Sequence, residues 1–134
     1  MQELLQIYKA LADPTRLRML HLLTRQPLCV CHFQGILSLA QVPASQHLAY
    51  LRKAGLVEDV RHAQWKVYRL RPALSPELRA VLDGLAKAAQ TQALLLSDLE
   101  RMEATLQDPR YAFCSDFVPP KQKAHPRAKK PRAR

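Results

Sequence analysis

Short apolar stripes at helical spacing, separated by signals that start and stop helices, fill the first 55 residues of the chain. Leu4, Tyr8 and Leu11 recur every three or four positions and predict a first helix over 2 to 12. In "ADPTRLRMLHLL", Asp13 is placed to cap a second helix and Pro14 brings the right fixed φ to its first position. Leu17, Leu20 and Leu23 are its expected buried stripe, and Thr24-Arg25 before Pro27 ends it. A short third helix is expected over 29 to 38 on Phe33, Ile36 and Leu37. A fourth, in "AQVPASQHLAYLRKAGL", carries Leu48 and Leu51 and closes at Gly55 behind a basic last turn.

After Gly55 the helical periodicity gives way to short β-prone runs. "LVEDV" and "WKVYRL", joined by "RHAQ", predict a β-hairpin. Pro72 and Pro76 frame a turn, and one long helix is expected from 76 to 106 on Leu78, Leu82, Leu85, Ala89, Leu96, Leu99 and Leu106. A stripe that long, on a helix with little chain left to cover it, points to a homodimer through the first and last helices, the alternative being a helix folded back on its own core. The expected order is four helices, two strands and a last helix: mainly α with a small β-hairpin, a winged helix-turn-helix. In that architecture the fourth helix enters the major groove of double-stranded DNA and the hairpin reaches the neighbouring backbone. Gln41, Ser45, Gln46 and His47 are suited to base edges. Arg52, Lys53, Arg61, His62, Gln64 and Lys66 are suited to phosphates.

Composition sharpens this picture. With 134 residues, 48% hydrophobic, the chain has room for one domain, and three glycines are too few for the tight turns of a sandwich or barrel. The net charge of +10 is unevenly spread: residues 119–134 hold seven Lys or Arg and no acid, which leaves +3 for the rest. Three parts follow: a DNA-binding and dimerisation domain over 1–106, an extension with Cys114 over 107–118, and a basic tail over 119–134, expected to be disordered and suited to a polyanion. Glu3, Lys9 and Asp13 leave no apolar signal segment, and no run approaches the ~20 apolar residues of a membrane span. A cytoplasmic protein with reduced thiols is expected. No Ser-His-Asp set, carboxylate pair or phosphate-cradling glycine loop points to an enzyme.

What remains is "PLCVCHF", with Cys29 and Cys31 one residue apart. Such a pair is either two small core hydrophobes or two soft ligands for a thiophilic ion. Residues two apart do not face each other on a regular helix, so gripping one ion requires a distorted first turn. A helix N-terminus is expected to lower the thiol pKa values. Cys114, in "DPRYAFCSDF", is either a third sulfur or a buried residue beside Tyr111, Phe113 and Phe117.

"ALADPTRLRMLHLL", "LCVC", "HLAYLRKAGLV" and "WKVYRL", in this order and at these separations, resemble the ArsR/SmtB family of metal- and metalloid-responsive repressors over about residues 4 to 105. The resemblance implies a homodimeric repressor that holds its operator when free and releases it when the inducer binds. "CVC" is similar to the arsenical subgroup's pattern, usually ELCVCDL. It implies As(III) or Sb(III) as inducer at Cys29 and Cys31, often with a third nearby thiol, for which this chain offers Cys114. Two departures stand out. Pro27-Leu28 replaces Glu-Leu, and His32 stands where the subgroup has Asp, as a third ligand, a donor to sulfur or neither. In the reading helix the family's capping Ser is Ala40 and its Pro has moved to Pro43, so a start at Pro43 would put Gln41 in the turn. The last helix lacks the histidines of the zinc subgroup, and residues 1 to 28 lack the cysteines of the cadmium and lead subgroup. The alternative is a repressor of the same type answering to zinc, another divalent metal or thiol oxidation.

Overall fold

A computed structural model of the chain describes residues 1–62 and 65–111, the His62 side chain excepted. Gln64, Cys114 and the basic tail lie outside the described residues. The elements run α1 (Gln2–Leu11), α2 (Pro14–Leu23), β1 (Leu28–Cys29), α3 (Val30–Leu37), α4 (Gln41–Lys53), β2 (Val57–His62), β3 (Trp65–Leu70), α5 (Pro76–Ala89) and α6 (Ala93–Gln107), followed by a 3₁₀ turn, Pro109–Tyr111. The three strands form one antiparallel sheet in the order β1-β3-β2. The result is a winged helix-turn-helix, and no helix among the described residues is long and apolar enough to cross a membrane.

Local chemistry sets the helix boundaries. The Asp13 carboxylate accepts the Arg16 backbone N–H at 3.0 Å and Pro14 opens α2. Ser75 caps α5 in the same way, accepting from the Leu78 N–H. Ser38, left-handed at φ 56°, ends α3, and Gly55 at φ 82° turns the chain from α4 towards β2. No side-chain cap closes α4 at Ala40, yet the helix starts at Gln41 and carries Pro43 inside its first turn. Gln41 is therefore helical and exposed, not part of the turn.

The core forms where α2, α3, α4 and α6 meet the inner face of the sheet, around Leu20, Phe33, Ile36, Leu48, Leu51 and Met102. Leu17 is only half-buried, whereas Met19 to Thr24 are all buried, so the end of α2 is enclosed on every side rather than along one stripe.

Two expectations are overturned. The long last helix is two helices, because the chain leaves α5 through tightened bonds from the N–H groups of Gln90, Thr91 and Gln92 to the carbonyls of Lys87, Ala88 and Ala89. The Thr91 hydroxyl adds a bond to the Ala88 carbonyl. This break rotates α6, so that Leu96 faces out and Asp98, Met102 and Thr105 face in. Asp98 is fully buried and held by Arg18 of α2 through two 2.9 Å bonds. The second correction is β1, a two-residue strand that pairs Leu28 with Tyr68 and Cys29 with Val67.

Candidate functional site

β1 places the cysteines. Cys29 is the last residue of the strand and the N-cap of α3, in extended conformation at φ −85° and ψ 166°. Cys31 lies inside the first turn of the helix and His32 one position further. The change from strand to helix between the cysteines turns both sulfurs to one side. Ligand atoms of Cys29, Cys31 and His32 all lie within 4.8 Å of one another. The distortion expected from a regular helical spacing is therefore unnecessary, because Cys29 is not in the helix. A soft ion with bonds of ~2.3 Å holds two sulfurs ~3.8 Å apart, so a closing movement of ~1 Å suffices.

Burial governs the chemistry here. Cys29 is buried, and loss of water pushes its thiol up to about 11, opposite to the lowering expected from a helix N-terminus. His32, also buried, is pushed down to about 4 and is neutral at pH 7. Its Nδ1 accepts the Cys29 backbone N–H at 2.9 Å. The Cys29 sulfur faces the His32 backbone N–H in return, a capping box with sulfur in place of the usual hydroxyl. Cys31 is half-buried and disulfide-bonded.

Around this point Val67 of β3 and Tyr111 of the 3₁₀ turn pack against the cysteines. The Tyr111 ring centroid is 6.3 Å from that of His32, and its hydroxyl oxygen is 2.5 Å from where a Cβ on Gly35 would sit. The site thus touches three parts of the molecule: the wing through β1–β3 pairing, α4 through α3, and α6 with its following turn. Arg101 of α6 fastens the other end of α3 by donating to the Ile36 carbonyl at 2.7 Å.

The candidate DNA residues separate into distinct groups. On α4, Gln41 and Gln46 are exposed and Ser45 is half-buried. Half-buried His47 turns Nδ1 towards α2, 3.5 Å from Arg16 and 3.9 Å from Asp13. Exposed Arg52 and Lys66 flank Asp59 at 3.6 and 3.8 Å, loose pairs of little energetic weight in water. Lys53 and Arg61 are exposed, and the His62 backbone ends β2. Sequence reasoning missed Val42, 64% exposed in the first turn of α4 although apolar. It also missed Arg16, which donates to the Lys9 and Ala10 carbonyls at the end of α1 and lies 3.9 Å above the Tyr50 ring of α4. Neither carries a local signal: exposure and a contact 34 residues away appear only in the folded chain.

A family described as "bacterial regulatory protein, arsR family" matches residues 13–59, from the α2 cap into β2. The arsenic resistance transcriptional regulator ArsR1 of Pseudomonas putida is 45% identical over 85 residues, covering 63% of this chain and 66%, just under two thirds, of that protein. The arsenical resistance operon repressor of Escherichia coli is 39% identical over 87 residues, covering 64% of this chain and 74% of the relative. Among solved structures, the homodimeric winged helix-turn-helix DNA-binding domain of Mb0332 from Mycobacterium bovis superposes with a TM-score of 0.57 at 25% identity, over 66% of this chain and 80% of that one. With its DNA-binding helix-turn-helix and wing, this chain belongs to the arsR family of bacterial transcription regulators, proteins that bind DNA and are not enzymes.

Proposed function

We propose that the protein is a homodimeric repressor of arsenic and antimony resistance genes, acting in the cytoplasm and released from operator DNA when As(III) or Sb(III) binds Cys29 and Cys31. The observation that carries this reading is the convergence of the two cysteines, within 4.8 Å, where the wing and α3 meet. Drawing the sulfurs together moves the base of the wing and the helix that supports α4 at the same time. By linkage, DNA then weakens inducer binding by the factor that inducer weakens DNA binding. The names of the arsenic regulators from Pseudomonas putida and Escherichia coli point the same way.

The high Cys29 pKa suits this inducer. Arsenous acid reaches the site as neutral As(OH)₃. Each Cys–S–As bond forms as an As–O bond breaks, and the thiol proton leaves with the hydroxide as water. No proton is released to solvent, so a thiol held at about 11 carries no proton penalty. Zn²⁺ must instead expel each thiol proton. The third sulfur is assigned to Cys114. Tyr111 already packs against the pair, and three further residues span at most ~10 Å.

On DNA, Gln41, Ser45, Gln46 and His47 read bases from α4, and Val42 beside them offers its methyl groups to thymine. Arg52, Lys53, Arg61, His62, Gln64 and Lys66 contact phosphates, and the tail adds affinity independent of sequence. Fluorescence anisotropy of promoter DNA from upstream of the protein's own gene tests the reading, using reduced protein and separate additions of arsenite, antimonite, zinc and a disulfide-forming oxidant. Release by micromolar arsenite, abolished in Cys29→Ser and Cys31→Ser and weakened in Cys114→Ser, is the expected result. Binding that ignores arsenite and antimonite overturns it. The disulfide at Cys31 motivates a second reading, release by thiol oxidation, which the oxidant alone then reports.

A further inference from the structure

We propose that His32 is a positioning residue for the thiol pair and not one of its ligands. Cys29 is both a ligand and the N-cap of α3, so its backbone decides where its sulfur points. Two dihedrals at the strand-to-helix change aim that sulfur back over the turn that carries Cys31, and the bond from the Cys29 N–H to His32 Nδ1 at 2.9 Å fixes that change. His32 occupies the third helical position, where Glu or Gln makes the same bond in an ordinary capping box. An Asp at this position, as in the arsenical pattern, is also able to accept that N–H. In this chain the His32 Nδ1 does so.

The same bond argues against ligation. A neutral imidazole whose Nδ1 accepts a hydrogen bond carries its proton on Nε2. The nitrogen with a lone pair to give is thus committed to the cap, and the other has none. Proximity to the two sulfurs follows from the capping geometry itself. Filling the sulfurs also disturbs the box, because a sulfur bound to an ion is a poorer acceptor for the His32 N–H. Inducer binding and the start of α3 are coupled through this turn.

The inference rests on Cys29 and Cys31 being the inducer site, and its test has one arm that does not. His32→Asn keeps an acceptor at the reach of Nδ1 and removes the ring; His32→Ala removes both. In metal-free, reduced, full-length protein, the Cys29 amide is expected to stay protected from hydrogen exchange in the wild type and in His32→Asn, and to lose protection in His32→Ala. In the anisotropy assay, the arsenite concentration for half-release should stay within about threefold of wild type in His32→Asn. It should rise about three- to tenfold in His32→Ala, the size of a lost cap. The ¹⁵N-imidazole spectrum of the wild type should keep the Nε2–H pattern when arsenite saturates the site. If His32→Ala fails to fold, His32→Asn and the imidazole spectrum decide. A folded, DNA-binding His32→Asn that ignores arsenite as completely as Cys29→Ser overturns the proposal, as does loss of the Nε2 proton on binding. If arsenite fails to release even the wild type, the functional reading falls, and Cys29 amide exchange still decides the role of His32.

Discussion

At the scale of single residues, two buried polar groups between α2 and α6 set how the protein responds to charge. Arg18 grips the buried carboxylate of Asp98 at two points, so Arg18→Ala strands an anion in the core. Breaking such a pair costs about 3–5 kcal/mol, which urea unfolding should register at pH 7. A loss below about 1 kcal/mol would mean that water reaches Asp98. His21 lies nearby, 1% exposed, with no hydrogen-bond partner for Nδ1 among the described residues. Burial, aided by the Arg25 charge, pushes it down to about 4, while Asp98 pulls weakly the other way. The unfolded chain therefore takes a proton below about 6.5 that the folded chain refuses until about 4. The stability due to neutral His21 is present above pH 6.5 and is lost as pH falls through that window, at up to about 1.4 kcal/mol per pH unit. His21→Leu should flatten the fall in the urea midpoint between pH 6.5 and 4. An unchanged slope would assign the acid sensitivity to other groups.

At the scale of elements, the chain announces what local chemistry decides. Asp13-Pro14 starts α2 and Gly55 ends the α4 turn because a cap or a positive φ is read from one or two residues. The hairpin shows through its β-prone runs, although β2 extends through Arg61 to His62, into the "RHAQ" read as a connection. β1 is invisible by the same logic: two residues become a strand only because Tyr68 and Val67 pair with them from some 40 positions away. The break before α6 has neither Pro nor Gly to mark it, and the apolar spacing runs on across it. Hence the cysteine pair was legible as a motif, while its geometry and the raised Cys29 pKa, products of strand pairing and burial, were not. Gly35 shows how such contacts are tested. Alanine favours a helix interior by about 1 kcal/mol, yet its Cβ here meets Tyr111 2.5 Å from the hydroxyl oxygen and 2.9 Å from Cζ. Gly35→Ala should therefore destabilise the wild type and weaken arsenite release, because the turn leading to Cys114 is pushed away. In a Tyr111→Ala background the same change should stabilise by up to about 1 kcal/mol, the propensity gain alone. Equal effects in both backgrounds would show that Tyr111 does not rest on Gly35 in solution.

At the scale of the whole molecule, a single chain leaves apolar surface where the homodimer is proposed to form. Leu4, Leu5 and Tyr8 stand exposed on α1, and Leu94 and Leu96 on α6. α1 opens the chain and α6 is the last α-helix among the described residues. A symmetric dimer built on them would present two reading helices to half-sites about one helical turn apart, and most of the affinity for DNA would depend on both binding together. Leu5→Glu and Leu94→Glu each place a charge in that surface without touching the core. Sedimentation velocity should show a shift towards monomer, and anisotropy a loss of operator affinity of tenfold or more. Inducer binding should respond differently. Tyr111 of the same chain lies against the cysteine pair, and the proposed third sulfur, Cys114, follows it by three residues, a span of at most ~10 Å. A monomeric variant should therefore still bind one arsenite per chain with wild-type affinity, measured by dialysis, while failing to hold DNA. If arsenite binding fell together with dimerisation, the third sulfur would have to come from the partner, and the dimer itself would be part of the sensor.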